Sequence, residues 1–337
     1  MKIKIDEVTQ QLAKAASKYV PEQEALYFSQ CSIDAHLRKA PRVSPIQEAV
    51  DDLTIWQQNE NRKFETIVDK NGIMLIDFHG LAPSLKIQHF HDEIERKAQR
   101  NGIAAIGFRN SSGISTLTIW ASELAKRNMI GLCMFNGGTE CCVPPGARQG
   151  VMGTNPMAYS VPTEKGPILL DMATTEIPFF EVSDAKEKKS PLKPGVAVDW
   201  NGKPTTDASQ VLDDMGRANL LPMGGGFKGY GIVMLIEILT GPLIRSLLST
   251  AQTPGWMPTE YGFLMIGIDI HSFVDPGIFK QEVSKMCEHI RSLQPAEGFD
   301  AVQLPGDRGD AQRKRLVASG EIDLDAGLVE SLGLLAQ

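Results

Sequence analysis

Apolar positions recur at helical spacing over residues 5–35 and again over 44–57, with a break at "KAPRVSP". The stretch "KFETIVDKNGIMLIDFHG" alternates apolar and polar residues on either side of an Asn-Gly pair, the pattern of a β-hairpin. "SLKIQHFHDEIERKAQRNG" then reads as an amphipathic helix closed by Asn101-Gly102. "IAAIGFRN" and "IGLCMFNGG" are short apolar runs of the kind that form buried strands, and "TLTIWASELAKRNM" between them is helical. From 139 to 210 the chain is rich in Pro, Gly and Thr and carries short strands such as "PILLDMA". A largely apolar helix is expected over 230–248, a strand at "YGFLMIGIDI", a helix over 276–293 and a charged helical tail over 307–337. Helical ends around a strand-rich middle place the chain in the α/β class.

The chain has 337 residues, enough for two compact lobes. Its apolar content of 42% and charged content of 22% are ordinary for a globular protein. A net charge of −7 argues against a general polyanion binder. The basic clusters "KEKK" (186–189) and "RKR" (313–315) read as solvated faces, so no nucleic-acid partner is expected. The longest apolar run, Ile232 to Leu239, contains Glu237 and stops at Gly241-Pro242, so no membrane span is expected. The opening "MKIKIDEVTQQLAKAASKYV" has a helical pattern without the apolar core of a signal peptide. The five cysteines lack metal-ligand spacing and read as reduced thiols, which points to the cytoplasm. Cys141-Cys142 is either a vicinal disulfide or two apolar residues near a turn.

The stretch "LLPMGGGFKGYGIVMLIEIL" contains Gly224-x-Gly226-x-x-Gly229, which resembles a dinucleotide fingerprint. A fingerprint of that kind needs a strand immediately before the glycines. Here "ASQVLDDMGRANLLPM" reads as a short helix and a loop instead. The glycines either let a loop approach a helix closely or present free helix-start amides, beside Lys228, to an anion.

Other stretches decide between these. "GARQGVMGTNPMAYSVP" (146–162), "PILLDMATT" (167–175), "KPGVAVDWNGKPTTDA" (193–208), "LLPMGGGFKGYGIVMLIEILTG" (220–241) and "LPGDR" (304–308) follow one another in this order. Together they resemble the malate/L-lactate dehydrogenase-like family of NAD(P)-dependent oxidoreductases. "CVPPGARQ" and "LPGDR" are most similar to its cyclic-imine reductase branch, which acts on Δ1-piperideine-2-carboxylate and Δ1-pyrroline-2-carboxylate. The resemblance implies a non-Rossmann fold, with NADPH or NADH on a mostly antiparallel sheet. It also implies a homodimer with the site near the subunit boundary. Four regions are then expected: an N-terminal helical region (1–60), an α/β region packing with the C-terminus (61–130), the nucleotide-binding sheet (131–275) and a C-terminal helical region (276–337). Carried over position by position, the cofactor contacts are Ile168, Leu169, Leu170, Asp171, Met172, Ala173, Phe227, Lys228, Gly306, Asp307 and Arg308. Lys228 would offer a point charge to phosphate and Phe227 a ring face. From its residue type alone, Asp171 either accepts ribose hydroxyls or caps a turn.

One family element is missing. The resemblance calls for Ser-His-Gly followed by an Arg at the end of the second helix, the His as acid or base and the Arg on the substrate carboxylate. Here "AHLRKAPRVSPIQEAV" puts Pro41 in place of the His and Pro45 in place of the Arg. A second family His, after "Arg-Asn", is replaced by Gly113. Reducing a ketone leaves an alkoxide that needs a proton donor, whereas a protonated imine brings its own proton and gains from a nearby negative charge. In the imine-reductase branch an Asp lies ten positions beyond the strand Asp; the matching residue here is Glu181 in "IPFFEVSD". Glu181 is therefore the candidate catalytic residue, as iminium stabiliser or proton relay, or else an exposed carboxylate before a charged loop. The expected substrate is a small cyclic imino acid. The competing readings are a 2-oxo acid reductase with its acid relocated, for example to His79, and a nucleotide-binding relative without chemistry.

His89 and His91 lie two apart on a helix, on different sides, so no metal is expected and a solvated face is the plainer reading. His79 and His36 read as a turn residue and a helix-flank residue. Glu237 needs a partner if buried, and Asp199 sits in a turn.

Overall fold

A computed structural model describes residues 1–38, 44–251 and 260–336 of the chain. The N-terminal part runs through β1 (Lys2–Lys4), α1 (Ile5–Ala16), α2 (Glu22–Arg38) and α3 (Pro45–Gln58). The central part comprises β2 (Glu65–Lys70), β3 (Ile73–Asp77), α4 (Ile87–Asn101), β4 (Ile103–Ser111), α5 (Leu117–Lys126) and β5 (Met129–Phe135). Then come β6 (Met157–Val161), β7 (Ile168–Met172), α6 (Phe179–Lys188), α7 (Phe227–Thr240) and β8 (Tyr261–Asp269). The C-terminal part holds α8 (Pro276–Arg291), α9 (Asp307–Ser319), β9 (Glu321–Asp323) and α10 (Ala326–Leu335).

Among the described residues, seven strands form one sheet in the order β2-β3-β4-β8-β5-β6-β7. Only β3 and β4 run parallel; the other neighbours are antiparallel. Strand alternation sends successive side chains to opposite faces. Phe263 and Met265 of β8 join Phe90 and Ile94 of α4 and Trp120 of α5 in the main core. Leu264 of β8 turns the other way and meets Ile236 of α7 and Met134 of β5. Aromatic rings brace the first face: Phe108 lies 4.6 Å from Phe90 and 5.1 Å from Phe263, centroid to centroid. A separate small core within 141–220 is built from residues such as Val182, Ala197, Val211 and Leu220, and gives the Pro- and Gly-rich stretch its own lobe. The antiparallel pairing of β1 with β9 ties the two ends of the chain together.

Tertiary packing changes several expectations. The helical stretch 5–35 is two helices, parted before Pro21, whose ring cannot continue the first. The C-terminal tail is not helical throughout: Gly320, at φ +71°, stops α9 and lets β9 pair with the N-terminus. Helix α6 was not anticipated in the strand-rich middle; its turns bury Val182 and Ala185 in the small core. Residues 208–210 form only a single 3-10 turn. The stretch Phe227–Ile244 is, by length and composition, long and apolar enough to cross a membrane, which corrects the shorter run read from the sequence. Here α7 rests one side on the sheet through Val233 and Ile236 and ends at Gly241. His91 is not on a solvated face: it is fully buried, with Nδ1 3.0 Å from the Tyr27 hydroxyl and Nε2 3.1 Å from the Trp120 carbonyl. Burial lowers its pKa to about 3. All five cysteines are free and buried, so Cys141 and Cys142 are two apolar residues. Asp199 is the turn residue expected, accepting from the amides of Asn201 and Lys203 at 2.8 Å each.

The buried carboxylates have identifiable partners. Glu237 accepts from Asn155 Nδ2 at 2.7 Å and from the Ser249 amide at 2.6 Å, which anchors the apolar helix. Asp52 is enclosed between α3 and the turn Pro83–Lys86 and accepts from Ser84 Oγ. Burial pushes the Asp52 pKa up to about 8; the Ser84 bond opposes the shift, and Glu48 and Asp51 add to it. The folded chain therefore keeps a proton that the unfolded chain releases near pH 4. On this account stability falls as pH rises from roughly 4 toward about 8, then levels. Asp52→Asn removes that titration. In urea unfolding the variant should gain on the wild type between pH 5 and 8, and parallel pH profiles would refute the assignment.

Candidate active site

β7 is the last strand of the sheet, and its outer edge is covered by a loop. The Leu169 amide donates to the Pro305 carbonyl at 3.4 Å, which lays Leu304–Gly306 along the strand. Gly306 caps α9 at φ +98°, a left-handed conformation that suits glycine. A Cβ there would sit 3.2 Å from both the amide and the carbonyl of Leu169, so the approach is also close. Asp307 holds the loop in shape by accepting from the Leu304 amide at 2.8 Å and pairing with Arg291 at 2.6 Å. The Arg291 guanidinium keeps its carboxyl below the usual range.

Between this loop, β7 and the ends of α2 and α5 lies a cavity of about 450 Å³. Its volume falls within the ~300–1,000 Å³ of small-molecule sites. Leu169, Leu170, Asp171, Gly306 and Arg308 line it, and these five were all expected at the cofactor. Ile168, Met172 and Ala173 belong to the same strand run but do not line the cavity, and Asp307 is committed to Arg291.

Asp171 has a structural duty that its residue type left open. Its Oδ2 accepts from Thr116 Oγ1 at 2.9 Å, Thr118 N at 2.9 Å and Thr118 Oγ1 at 2.6 Å. Thr116 is the N-cap residue of α5 but makes no capping bond of its own. The carboxylate of a distant strand supplies the cap, with its charge at the positive end of the helix. Asp171 therefore caps, but it caps another element and lines a cavity as it does so.

Arg38 closes the other side. It is the last residue of α2, with its side chain 11% exposed. Nε donates to Asp34 Oδ2 at 2.9 Å, and NH1 to Asp310 of α9. Arg313 also binds Asp34. Burial alone would raise the Asp34 carboxyl; the two arginines outweigh it and hold it below its ordinary value. The "RKR" cluster is thus not wholly a solvated face. Gly309 lets α9 come this close: a Cβ would lie 3.0 Å from the Arg38 carbonyl.

The glycine loop has a packing explanation. Gly224 and Gly225 take φ of 72° and 64°, and a Cβ on Gly229 would lie 1.8 Å from the Met223 carbonyl. The preceding residues make only isolated bridges, such as Pro222 with Thr175. Met223 N donates to the Thr174 carbonyl at 2.8 Å, so the loop continues from the end of β7. Phe227 and Lys228 begin α7 and are exposed, Phe227 to 75%. They do not line the cavity beside Asp171.

A second cavity, about 440 Å³, is lined in part by Thr154, Phe179, Ser183 and Tyr261. Thr174, just past β7, donates both its amide and its hydroxyl to the Thr154 carbonyl, at 3.0 and 2.9 Å. The two cavities thus stand toward opposite ends of one short strand run. Glu181 lies in the first turn of α6, half-buried, between Phe179 and Ser183. Those two are four apart and share a helix face, while Glu181 points roughly 200° away.

Of the missing element, Pro41 lies outside the described residues and Pro45 is the first residue of α3. Gly113 has φ +150° and open space where a side chain would be. Arg38, Thr116 and Thr118 were not singled out from sequence. The two threonines carry a signal, since they stand where helix-capping residues precede an apolar run. Arg38 carries none, because its partners lie on α9.

The malate/L-lactate dehydrogenase family model matches residues 3–333. The chain belongs to that family. It is accordingly an oxidoreductase, and membership implies a nicotinamide cofactor. The chain is 36% identical over 245 residues to malate/(S)-sulfolactate dehydrogenase of Methanothermus fervidus, covering 71% of this chain and 68% of that one. It is 34% identical over 237 residues to a Δ1-pyrroline-2-carboxylate/Δ1-piperideine-2-carboxylate reductase of Pseudomonas syringae pv. tomato, covering 69% and 66%. The matched segments thus span about two thirds of these relatives. Sulfolactate dehydrogenase of Methanocaldococcus jannaschii has the same fold, with a TM-score of 0.84 at 24% identity over 99% of this chain and 96% of that one.

Asp171→Ala should strip α5 of its cap and three hydrogen bonds. Thermal or urea unfolding without nucleotide should then lose about 2 kcal/mol, within the range for stranded buried donors. Unchanged stability would mean that the carboxylate is not the cap.

Proposed function

We propose that the chain is an NAD(P)H-dependent reductase of a small cyclic imino acid of the Δ1-pyrroline-2-carboxylate type. The observation that carries this reading is that none of the six histidines is among the residues lining either cavity. A substrate that arrives protonated has least need of one.

The residues beside β7 fit a nucleotide. Gly306 leaves the strand edge approachable, and Arg308 adds an exposed cation in the first turn of α9, where helix-start amides also favour an anion. Leu169, Leu170 and Asp171 would hold the cofactor along the strand. NADPH or NADH would supply hydride when bound; the chain contributes orientation and a fixed electrostatic frame. Phe227 and Lys228 enter through a homodimer. Phe227, Met234, Leu235 and Ile238 leave an exposed apolar side on α7, spaced as one helix face. A second copy covering it would bring Lys228 to the subunit boundary. Glu181, pointing away from its own chain's second cavity, would meet a substrate at that boundary and favour the iminium there.

A second reading, reduction of a 2-oxo acid, is supported by His79. Gly80 N donates to the Asn110 carbonyl at 2.7 Å, which sets His79 beside the stretch that leads to Gly113. Its Nδ1 lies 3.2 Å from Asp77 Oδ1, so a carboxylate orients the ring.

Absorbance at 340 nm separates the readings. NADPH or NADH oxidation should follow addition of Δ1-pyrroline-2-carboxylate and not pyruvate, and Glu181→Gln should lower kcat by ~100-fold with cofactor binding kept. Oxidation with pyruvate alone would transfer the assignment to the second reading. Full turnover in Glu181→Gln would remove Glu181 from the chemistry.

A further inference from the structure

A third cavity, about 370 Å³, lies where α1, α2, α5 and α9 meet. None of the residues assigned above to nucleotide or substrate lines it. We infer that it is a binding site for a linear molecule with a primary ammonium at one end and a carboxylate at the other, the ammonium held by Glu123 and the carboxylate by Arg313. The inference does not depend on which substrate the enzyme reduces.

The ammonium end follows from a proton count. His91 is fully buried, and its Nε2 lies 3.1 Å from the Trp120 carbonyl, which can only accept. Nε2 therefore carries the ring proton, and the neutral ring leaves Nδ1 bare. Burial, which lowers the pKa of this histidine to about 3, keeps the ring neutral. The Tyr27 hydroxyl, 3.0 Å from Nδ1, donates to it. A hydroxyl has one proton. Glu123 Oε2, 3.3 Å from the same hydroxyl oxygen, is then left without it. Lys126 holds the other oxygen, Oε1, and no further donor reaches Oε2 among the described residues. Glu123 is 8% exposed and lines the cavity, so the missing donor comes from that side. An ammonium offers three donors and a charge, which makes it a stronger partner than water.

The far end is set by α2. Tyr27, Cys31 and Asp34 stand at i, i+4 and i+7 and present one helix face to the cavity. Tyr27 and Asp34 are about 10 Å apart along the helix axis. Asp34 takes Nε of Arg313, which leaves both terminal nitrogens of that guanidinium without a partner among the described residues. Arg313 lines the cavity as well. A cation at this end would be repelled, so a diamine does not fit. An α-amino acid, with both charges on one carbon, is too short to reach both ends. Between them Cys31 and Ile33, both buried, give a wall that suits methylenes. The charges on the lining are Asp6, Asp34 and Glu123 against Lys126 and Arg313, a near balance that favours a zwitterion over a polyanion.

Calorimetry on the full chain tests the site with 5-aminopentanoate as probe. The controls are its isomer norvaline, which carries both charges at one end, and pentanoate, which lacks the ammonium. The probe should bind ~10-fold or more tightly than either control, as for one charge-assisted hydrogen bond. Glu123→Gln, which keeps the side-chain shape, and Arg313→Met should each weaken the probe by ~10-fold or more. Asp34 retains Arg38 in Arg313→Met, which protects the fold. Saturating NADP⁺ or NAD⁺ should not displace the probe, because this cavity and the one beside Asp171 share no lining residue. The inference fails if the probe does not bind or binds no better than norvaline or pentanoate. It fails equally if either variant binds the probe as tightly as wild type, or if nucleotide displaces it.

Discussion

The carboxylate of Asp171 fastens the last strand of the sheet to the start of α5 with three hydrogen bonds. Helix α5 is buried against β5 and β6 and carries Trp120 into the aromatic core. An uncapped start at that place would leave donors of the first turn without partners in a buried setting. The same contact holds β7 at a fixed height beside α9, so that Gly306 and Leu169 can touch. The strength of the fold and the shape of the cavity therefore share one side chain.

The opposite wall depends on a second fixed charge system. Arg38, Asp34, Asp310 and Arg313 join α2 to α9, and the close approach at Gly309 makes the junction tight. A cavity framed by one capped helix and one ion-paired junction is largely formed before a ligand arrives, which reduces the ordering cost of binding.

Much of this was legible as sequence, and the remainder was hidden for definable reasons. The strand Ile168–Met172 and the turn at Gly306 could be expected at the site because short motifs carried them. Asp307 could not be separated from its neighbours, since its partner Arg291 lies on another helix. The break before Pro21 had a local signal in the proline that the reading of 5–35 as one helical stretch passed over, whereas the pairing of β9 with β1 needed the two termini brought together. His91 looked solvated beside charged residues, but α4 turns that side onto Tyr27 and Trp120.

By itself the sequence determined the strand at β8, a largely apolar helix at α7, the need of Glu237 for a partner and, through the family resemblance, the loss of two histidines, because these depend on local periodicity and on which side chains are present. Only the tertiary structure decided that Asp171 caps α5, that Arg38 faces the cavity and that Glu181 does not, because each depends on a partner or a helix face that residue spacing does not specify.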